Sequence, residues 1–409
     1  MNVTRTKECQ RAAGPLEGVT VVELGSLIAG PFATRLLGDY GARVIKVEAP
    51  DALDPMRDWG HVTYRDRHLW WLTQARNKEL ITLNLRTRKG QDLFRQLVPH
   101  IDIVVENFRP GTLEKWELAW ETLHALNPRL ILVRVSGFGQ TGPYRERTGF
   151  GSVAEAMGGL RYLNGFPDRP PTRFGISLGD SLGSLYAVIG ALAAIHAREK
   201  TGEGQMVDCA ITEAVFSLLE SAVSEYGLTG YVRERQGNIL PGIAPSNTYR
   251  TKDDQYLVIG ANQDRVFQRL TEVMGAPNLA SDPMYQTHQA RATHQMELDR
   301  IIESWTTQHT LEELAAWLHE AGIPAGPIYS IEDIFSDPQF RAREMILQQE
   351  APSLGSVPTP GIVPKFSGTP GQIRHLAREH PGQDNHRVYS EWLNLSDRDL
   401  RDLEEDGVI

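Results

Sequence analysis

The fold class is decided by the stretch VTVVELGSLIAGPFATRLLGDYGARVIKVE, residues 19–48. A short β-branched run from Val19 to Leu24 is closed by Gly25. A helical pattern then extends from about Phe32 to Asp39, and a second β-rich run ends at Glu48. Because a strand, a helix and a strand in this order build parallel sheets, the sequence predicts an α/β protein with a Rossmann-like domain.

The glycine turn in this stretch also raises an alternative function. Glu48 follows the turn at about the distance, roughly twenty residues, at which dinucleotide-binding domains carry the acid that binds the ribose. Gly25 and Gly30, however, do not fit the G-x-G-x-x-G spacing of that motif. A nucleotide-dependent oxidoreductase is therefore an alternative that the spacing disfavours.

The alternation of strands and helices continues to about residue 226 and then breaks. Four more strands are predicted in this part, one starting just after Lys78 and the others at Asp102–Glu106, Leu130–Val135 and Gln205–Ile211. Three more helices are predicted at Gly90–Val98, Leu113–Leu126 and Thr212–Tyr226. We predict a large Rossmann-like domain at 1–226, a linker at 227–245, a smaller α+β domain at 246–330, and a return linker with the last part of the large domain at 331–409.

The small domain and the return segment have their own patterns. NTYRTKD and QYLVIGA predict a hairpin, followed by helices at Asp264–Met274, Met296–Gln308 and Leu311–Ala321. In the return segment, the Pro/Gly-rich stretch Pro352–Pro370 predicts an extended linker, and an amphipathic helix at Asn385–Asn394 is expected to close the chain.

Composition excludes several classes of partner. The chain has 42 basic and 52 acidic residues, and this net charge of −10 argues against nucleic acid or an anionic membrane as the main partner. Cys9 and Cys209 cannot form a disulfide framework, and no Cys/His spacing resembles a zinc site. The polar first residues lack a signal core, and no long apolar run is seen. We expect a soluble, cytoplasmic protein without a metal.

A single acid, Asp180, stands at the turning point of RFGISLGDSLGSLYAVIGALAAIHAREKT, Arg173–Thr201. The apolar run from Leu182 to Ala197 predicts a helix that is buried nearly all round. Asp180 would cap this helix, where first-turn N–H groups and the helix dipole favour its charge. The residue is then either a structural N-cap or a nucleophile that attacks an activated acyl group.

Seven separated motifs match one family. They are IAGPFAT (Ile28–Thr34), GARVIKVE (Gly41–Glu48), ARNKELITLNL (Ala75–Leu85), VENFRPGTLEKW (Val105–Trp116), VSGFGQTGPY (Val135–Tyr144), GDSLG (Gly179–Gly183) and TGEGQ (Thr201–Gln205). On these motifs the chain resembles the family III CoA transferases. That family includes the formyl-CoA, L-carnitine and succinyl-CoA dependent dicarboxylate CoA transferases and the related α-methylacyl-CoA racemases.

The resemblance implies an acyl-CoA:carboxylate CoA transferase in which Asp180 is the nucleophile. Asp180 would form a mixed anhydride with the acyl group and then an aspartyl-CoA thioester. Coenzyme A is implied as a substrate, with no permanently bound cofactor. The implied contacts to CoA or substrate are Leu27, Ile28, Ala29, Ala75, Arg76, Asn77, Lys78, Asn107, Phe108, Arg109, Lys115, Thr148, Gly149, Phe150 and Gly151. Lys78 and Lys115 are the expected phosphate partners. The family's arginine just after the second strand is Ala49 here, and Arg57 is expected to substitute for it.

Two departures from the family pattern bear on the reaction. The His-Asp pair of the racemases is replaced by Phe150 and Gly151, which removes the histidine that would move a proton at the α-carbon. The carboxylate of the formyl-CoA transferases is also absent at Gly151, which favours a longer, dianionic acid. The sequence as a whole most resembles the succinyl-CoA dependent transferases for malate, citramalate or glutarate. Itaconate is a further expected acceptor of the same size class.

Further expectations concern a loop and the assembly. The resemblance implies that a glycine loop, here Gly260, Ala261, Asn262 and Gln263, offers backbone N–H groups near the intermediate. It also implies an interlocked, ring-like homodimer, with a heterodimer as the alternative. The competing functions are an acyl-CoA racemase of the same fold and a non-catalytic acyl-CoA binding subunit, against which Asp180 speaks.

Overall fold

The computed structural model describes residues 14–409, so Cys9 lies outside the described residues. The chain forms two compact units. The first contains the chain up to Leu160 together with Phe174–Val223 and Ala342–Ile409, and the second contains Arg161–Arg173 and Ser224–Arg341. The second unit is therefore larger than the small domain predicted at 246–330: it takes in the predicted linker and a short segment that precedes the helix of Asp180.

The strands of the described chain are numbered here in chain order. They are β1 Thr20–Glu23, β2 Arg43–Glu48, β3 Thr63–Tyr64, β4 Arg67–His68, β5 Lys78–Thr82, β6 Ile103–Glu106, β7 Ile131–Ser136, β8 Met206–Ala210, β9 Ser246–Arg250, β10 Tyr256–Gly260, β11 Ala325–Pro327, β12 Ile346–Ala351 and β13 Gly355–Pro360.

The helices are numbered in the same way. They are α1 Ala29–Asp39, α2 Leu69–Gln74, α3 Arg88–Leu97, α4 Thr112–Lys115, α5 Trp120–Leu126, α6 Gly151–Met157, α7 Leu160–Leu163, α8 Leu178–Thr201, α9 Ile211–Phe216, α10 Ala222–Thr229, α11 Asp264–Val273, α12 His288–Thr293, α13 Gln295–Thr306, α14 Leu311–Glu320, α15 Ile331–Ser336, α16 Pro338–Ala342, α17 Asn385–Leu393 and α18 Asp397–Glu405. Short 3₁₀ turns occur at Pro55–Asp58, Val98–His100 and Pro277–Ser281.

The first unit is built on a six-stranded parallel sheet in the order β5-β2-β1-β6-β7-β8. This is the strand order of the doubly wound Rossmann fold, in which the chain reverses direction across the sheet between β1 and β6. The predicted fold class of this part, an α/β fold with a parallel sheet, is confirmed. Ligands of such sheets bind beyond the carboxyl ends of the strands at this switch point.

Successive residues of β1 serve the two faces of the sheet. Val21 packs into a core with α1 and α8, whereas Val22 packs into a second core with α3, α5 and α17. Val22 lies opposite Ile45 of β2 and Val104 of β6. Because both faces are covered, the strands are apolar on both sides, and this is why they appear as continuous β-branched runs in the sequence.

Helix α1 begins at Ala29, three residues before the predicted start at Phe32. Pro31 is the third residue of the helix, where the backbone N–H has no partner within the helix, so proline is tolerated there. The glycine and proline of IAGP therefore form the first turn of the helix and not the loop before it.

Helix α8 is longer and less buried than predicted. Its small residues, among them Gly183, Ala187, Ala191 and Ala194, face the core. Leu185 and Ile189 are 45 % and 59 % exposed, so the prediction of a helix buried all round is wrong for this chain. With a mean hydropathy of 1.6 the helix is long and apolar enough to cross a membrane, but this measure also fits core helices of soluble proteins. The packing of α8 against β7, β8 and α1 favours a core helix.

The second unit confirms the predicted hairpin and three of its helices. β9 and β10 pair antiparallel, with Leu257 opposite Tyr249, and the helices α11, α13 and α14 pack with them around Phe267 and Leu298. The sequence pattern missed the third strand, β11, and the short helix α12, because each is only a few residues long.

The return segment differs from its prediction in two places. The first part of the predicted linker at Pro352–Pro370 forms strand β13, which pairs with β12. The chain is closed by α18 and not by α17. Tyr389 of α17 donates a hydrogen bond of 2.7 Å to the carbonyl of Thr82, which docks the end of the chain on β5.

Candidate active site

Asp180 lies in the first turn of α8, three residues after the N-cap position. Ser177 occupies the N-cap and makes no capping bond with its side chain, so the prediction that Asp180 is the cap is wrong by three residues. Asp180 is 9 % exposed. In the first turn the positive end of the helix dipole still favours a negative charge, as the sequence predicted.

The carboxylate of Asp180 packs directly against the backbone of Gly151, the first residue of α6. A Cβ atom at Gly151 would overlap Oδ2 of Asp180 and would lie 2.8 Å from Oδ1. Gly137 and Gly149 make a similar close approach, since a Cβ on either would lie 2.6 Å from the Cα of the other. The glycine at 151 therefore makes room for the carboxylate of Asp180 itself, in addition to any room it leaves for substrate.

Glu155 is a buried carboxylate beside this turn that the sequence analysis missed. It is 1 % exposed, and its Oε1 accepts a hydrogen bond of 2.9 Å from the N–H of Gly179. This bond ties α6 to the start of α8 and satisfies one of the N–H groups that the first turn leaves open. The sequence carried one signal for this residue: Glu155 is a charged side chain within the otherwise apolar run of residues 153–157, which indicates a buried acid.

Ser184 connects Asp180 to the loop that follows β1. Its buried Oγ lies 2.6 Å from the carbonyl oxygen of Ala29 and 2.7 Å from that of Asp180. The segment Leu27–Ala29 was predicted to contact CoA. The hydroxyl of Ser184 therefore links this segment to the backbone of the predicted nucleophile.

Asn107 holds the same loop from the other side of the switch point. Its side-chain amide accepts a bond from the N–H of Ser26 and donates one to the carbonyl of Ser26, both at 2.9 Å. A Cβ at Gly25 would overlap Oδ1 of this amide, which explains the glycine. The side chain of Asn107 therefore positions the loop.

A cluster of buried charges lies beneath the loop, at the carboxyl ends of β1 and β2 and the start of β5. Glu23 accepts bonds of 2.7 Å from both Lys46 and Lys78, and all three side chains are at most 1 % exposed. Burial alone would raise the pKa of Glu23, but the two ammonium groups outweigh it and lower the pKa to about 2. For Lys78, burial outweighs the attraction of Glu23 and lowers the pKa to about 8.

A cavity of 330 Å³ opens at the carboxyl ends of β1, β2 and β6. Its lining includes Leu24, Gly25, Ala49, Leu53, Phe108 and Trp116. The rings of Phe108 and Trp116 meet edge to face, with centroids 5.1 Å apart. An apolar pocket at the switch point of a parallel sheet is where a nucleotide is expected to bind.

Comparison with known families agrees with the motifs. The family model described as CoA-transferase family III matches residues 16–385. The chain belongs to this family.

Family members of known activity cover the chain almost completely. The succinyl-CoA–D-citramalate CoA-transferase of Chloroflexus aurantiacus is 54 % identical over 400 residues, which is 98 % of this chain and 99 % of that protein. The alpha subunit of the succinyl-CoA–L-malate CoA-transferase of Chloroflexus aurantiacus is 41 % identical over 397 residues, or 97 % of this chain and 92 % of that protein. The crystal structure of a CAIB/BAIF family protein from Brucella suis has a TM-score of 0.82 and 35 % identity, covering 93 % of this chain and all of that one.

The contacts that the family resemblance implied fall into two groups. Arg109, Lys115, Thr148 and Phe150 are exposed, and Leu27, Asn107, Phe108 and Gly149 are partly exposed, so their predicted contacts stay predictions. Ile28, Ala29, Ala75, Arg76, Asn77, Lys78 and Gly151 are buried.

Three of the buried side chains have partners inside the protein. Lys78 bonds to Glu23 and, at 2.7 Å, to the carbonyl of Pro31, so its ammonium group already has protein partners, and its predicted contact with a phosphate stays a prediction. Arg76 pairs with Asp39 at 2.6 Å, and Asn77 donates to the same carboxylate at 2.8 Å. The side chains of Arg76, Asn77 and Lys78 are thus all bonded to other parts of the protein.

Arg57 also differs from its predicted role. Both nitrogens of its guanidinium edge bind Glu48, at 2.9 and 2.6 Å, and its charge lies 4.1 Å from the ring centroid of Trp71. It lines a separate cavity of 380 Å³, and not the one at the switch point. The replacement of the family arginine by Arg57 is therefore not supported by its position.

The predicted glycine loop lies in the second unit. The N–H groups of Gly260 and Ala261 are bonded to the carbonyls of Pro324 and Pro245, at 2.8 and 2.9 Å. These two N–H groups are therefore not available to an oxyanion as the loop stands. Among residues 14–409, no group of three or more His, Cys, Asp or Glu side chains could hold a metal ion.

Proposed function

We propose that the protein transfers coenzyme A from succinyl-CoA to a C4–C6 dicarboxylic acid, with D-citramalate as the first acceptor to test. Malate, itaconate and glutarate are the next acceptors in the same size class. The observation that carries this proposal is the 54 % identity, over nearly the full length of both chains, to a transferase with that named activity.

The site can support the covalent route that the family resemblance implies. The carboxylate of Asp180 attacks the thioester carbonyl of succinyl-CoA, the C–S bond breaks, and a succinyl-aspartyl anhydride and CoA thiolate result. The thiolate attacks the aspartyl carbonyl of the anhydride and releases succinate. The acceptor carboxylate then attacks the aspartyl-CoA thioester, and the returning thiolate takes the new acyl group and frees Asp180.

The geometry suits the first step in one specific way. Asp180 is largely buried and packs against the backbone of Gly151, so its carboxylate has few rotamers available. A nucleophile held in one geometry loses little freedom when it attacks, which favours reaction with a bound thioester over a mobile one. The route takes no proton from the α-carbon, so it needs no base at Phe150 or Gly151.

The nucleotide part of CoA fits the cavity at the switch point. Phe108 and Trp116 give this cavity an apolar wall, and the exposed cations Arg109 and Lys115 each adjoin one of these aromatic residues in the chain. We propose that Arg109 and Lys115 bind the phosphates, because exposed cations can form charge-assisted bonds without first breaking a buried pair. The loop Leu27–Ala29 would then guide the pantetheine arm toward Asp180.

The assembly that we propose is an interlocked homodimer, as the family resemblance implies. The exposed apolar side chains of α8, such as Leu185 and Ile189, support a partner surface on the first unit. A relative named as an alpha subunit makes a heterodimer the alternative. We also propose a cytoplasmic enzyme that binds neither nucleic acid nor membrane, in keeping with its net charge of −10.

Trapping of the acyl-enzyme tests the mechanism. Incubation with succinyl-CoA and hydroxylamine should leave a hydroxamate on the peptide that contains Asp180. Asp180→Ala should abolish both the adduct and CoA transfer, while its circular dichroism spectrum stays that of the wild type. The matched control is Glu199→Ala, which removes an exposed acid from the far end of the same helix.

A substrate panel and isotope uptake separate the competing functions. Succinyl-CoA with each dicarboxylate should yield the new thioester by mass, and a 2-methylacyl-CoA in D₂O should take up no deuterium at C2. Deuterium uptake without CoA exchange would favour the racemase. The absence of both reactions would favour an acyl-CoA binding subunit.

A further inference from the structure

Three successive residues of the loop after β1 are each held by a different side chain. The carbonyl of Gly25 accepts a bond of 2.9 Å from Lys46, Ser26 is held by Asn107, and the N–H of Leu27 donates a bond of 3.0 Å to Oδ1 of Asp54. The backbone of Gly25, Ser26 and Leu27 is therefore fixed by side chains from outside the loop.

Leu27 adopts a backbone conformation that needs such support. Its φ angle is +64°, in the left-handed region that a leucine rarely occupies. This conformation is unfavourable for a residue with a Cβ atom, so the surrounding contacts must hold it. The bond from the N–H of Leu27 to Asp54 is the contact that acts on the strained residue itself.

Asp54 is in turn held in place by an ion pair. Its Oδ2 lies 2.7 Å from Nζ of Lys46, and both side chains are 1 % exposed. Lys46 also binds Glu23 at 2.7 Å and the carbonyl of Gly25. The ammonium group thus donates two hydrogen bonds, to Glu23 and to Gly25, and forms an ion pair with Asp54. Because all three partners belong to the protein and the side chain is buried, we assign Lys46 the role of positioning Asp54 and the loop.

The far end of the loop reaches the turn of Asp180. The carbonyl of Ala29 and that of Asp180 share the hydroxyl of Ser184, at 2.6 and 2.7 Å. Ala29 is two residues after Leu27, so a displacement of the loop at Leu27 would disturb the bond between Ala29 and Ser184.

We propose that Asp54 is a positioning residue for acyl-CoA binding, acting through the left-handed conformation of Leu27. Asp54 holds the backbone of Leu27–Ala29 in the shape that receives the thioester arm and keeps this loop at a fixed distance from Asp180. The identity of the ligand rests on the proposed function, whereas the support of the loop by Asp54 does not.

Two substitutions separate the hydrogen bond from the charge. Asp54→Ala removes the acceptor for Leu27, the ion-pair partner of Lys46 and the oxygen that accepts a bond of 2.9 Å from the N–H of Met56. Asp54→Asn keeps an oxygen that can accept from Leu27 but loses the ion pair. The matched control is Asp58→Asn, which removes an exposed acid from the same 3₁₀ turn.

Hydrogen exchange and kinetics give the expected results. In Asp54→Ala, amides in a peptide covering residues 24–32 should exchange faster than in the wild type, and the KM for succinyl-CoA should rise roughly 3- to 10-fold. The kcat should change less than the KM, because the loop is proposed to act in binding. Asp54→Asn should recover most of the exchange protection, and Asp58→Asn should match the wild type in both.

Other outcomes would overturn the proposal. Unchanged exchange and KM in Asp54→Ala would show that Asp54 does not position the loop. Faster exchange with unchanged KM, and unchanged binding of free CoA, would show that the loop does not receive CoA. If Asp54→Ala does not fold, Asp54→Glu is compared instead. Its longer side chain keeps the charge but moves the carboxylate away from the N–H of Leu27, so exchange and KM should again rise, and unchanged values would overturn the proposal. If the wild type binds CoA but transfers none, weaker CoA binding by Asp54→Ala would still support this proposal while the proposed function fails.

Discussion

Lys78 and Lys115 were both expected to bind a phosphate of CoA, yet they lie in opposite environments. Lys78, at the start of β5, is fully buried and bonded to Glu23 and to the carbonyl of Pro31. Lys115, the last residue of α4, is exposed. A family motif therefore names candidate ligand contacts, but whether a given side chain is buried or open to a ligand is read only from the folded chain.

The physical reason lies in the cost of moving a charge. A buried ammonium group has already lost its water and replaced it with protein partners, so binding a phosphate would first break these bonds. An exposed ammonium group can approach a phosphate at the price of only part of its hydration. We therefore expect the buried charges beneath the loop to support its conformation, and the proposed function assigns the phosphates to the exposed cations Arg109 and Lys115.

The largest expected effect is on stability at the buried lysine. Lys78→Met should lower the free energy of unfolding by about 3 kcal/mol, because it leaves Glu23 buried with only one of its two partners. Urea unfolding followed by fluorescence measures this change. Lys115→Met is the matched control and should stay within about 0.5 kcal/mol of the wild type. If both variants lost a similar free energy of unfolding, the buried and the exposed lysine would not differ in their contribution to stability.

The next effect concerns acid. The pKa of Glu23 is lowered from 4.5 to about 2 in the folded protein, so its stabilisation is present above about pH 4.5 and is lost as the pH falls toward 2. A shift of this size corresponds to about 3 kcal/mol at most. Glu23→Gln should therefore show a weaker loss of urea midpoint than the wild type between about pH 5 and pH 3. The exposed acid Glu121, changed to Gln, should leave the wild-type slope in place.

The smallest effect in free energy is expected at the exposed lysine, and it should appear in binding. Lys115→Ala should lower kcat/KM for succinyl-CoA through a higher KM, because a charge-assisted bond to a phosphate is lost. The loss should correspond to about 1.5–3 kcal/mol of transition-state stabilisation. Added salt should raise the KM of the wild type more than that of the variant. Lys200→Ala, at an exposed position in the last turn of α8, is the control. An unchanged KM in Lys115→Ala would place the phosphates elsewhere.

Much of the fold could be predicted because its signals are local. The β-branched runs of β1, β2, β6 and β7 are buried on both faces, so burial appears directly in the sequence as continuous apolar stretches. The hairpin of β9 and β10 could be predicted in the same way, from the local pattern of its two strands. The prediction failed where local pattern and tertiary packing disagree: proline and glycine around residues 352–360 suggested a linker, but pairing with β12 makes a strand there.

The candidate site divides along the same line. The motifs alone were enough to identify the family and to make Asp180 the candidate nucleophile, because a motif is a property of neighbouring residues. The packing of Gly151 on the carboxylate of Asp180, the position of Glu23 between two lysines and the bond from Leu27 to Asp54 are visible only in the folded chain. Burial and pairing depend on residues that are distant in the chain, and a charge written in the sequence carries no record of whether it meets water, another charge or a ligand.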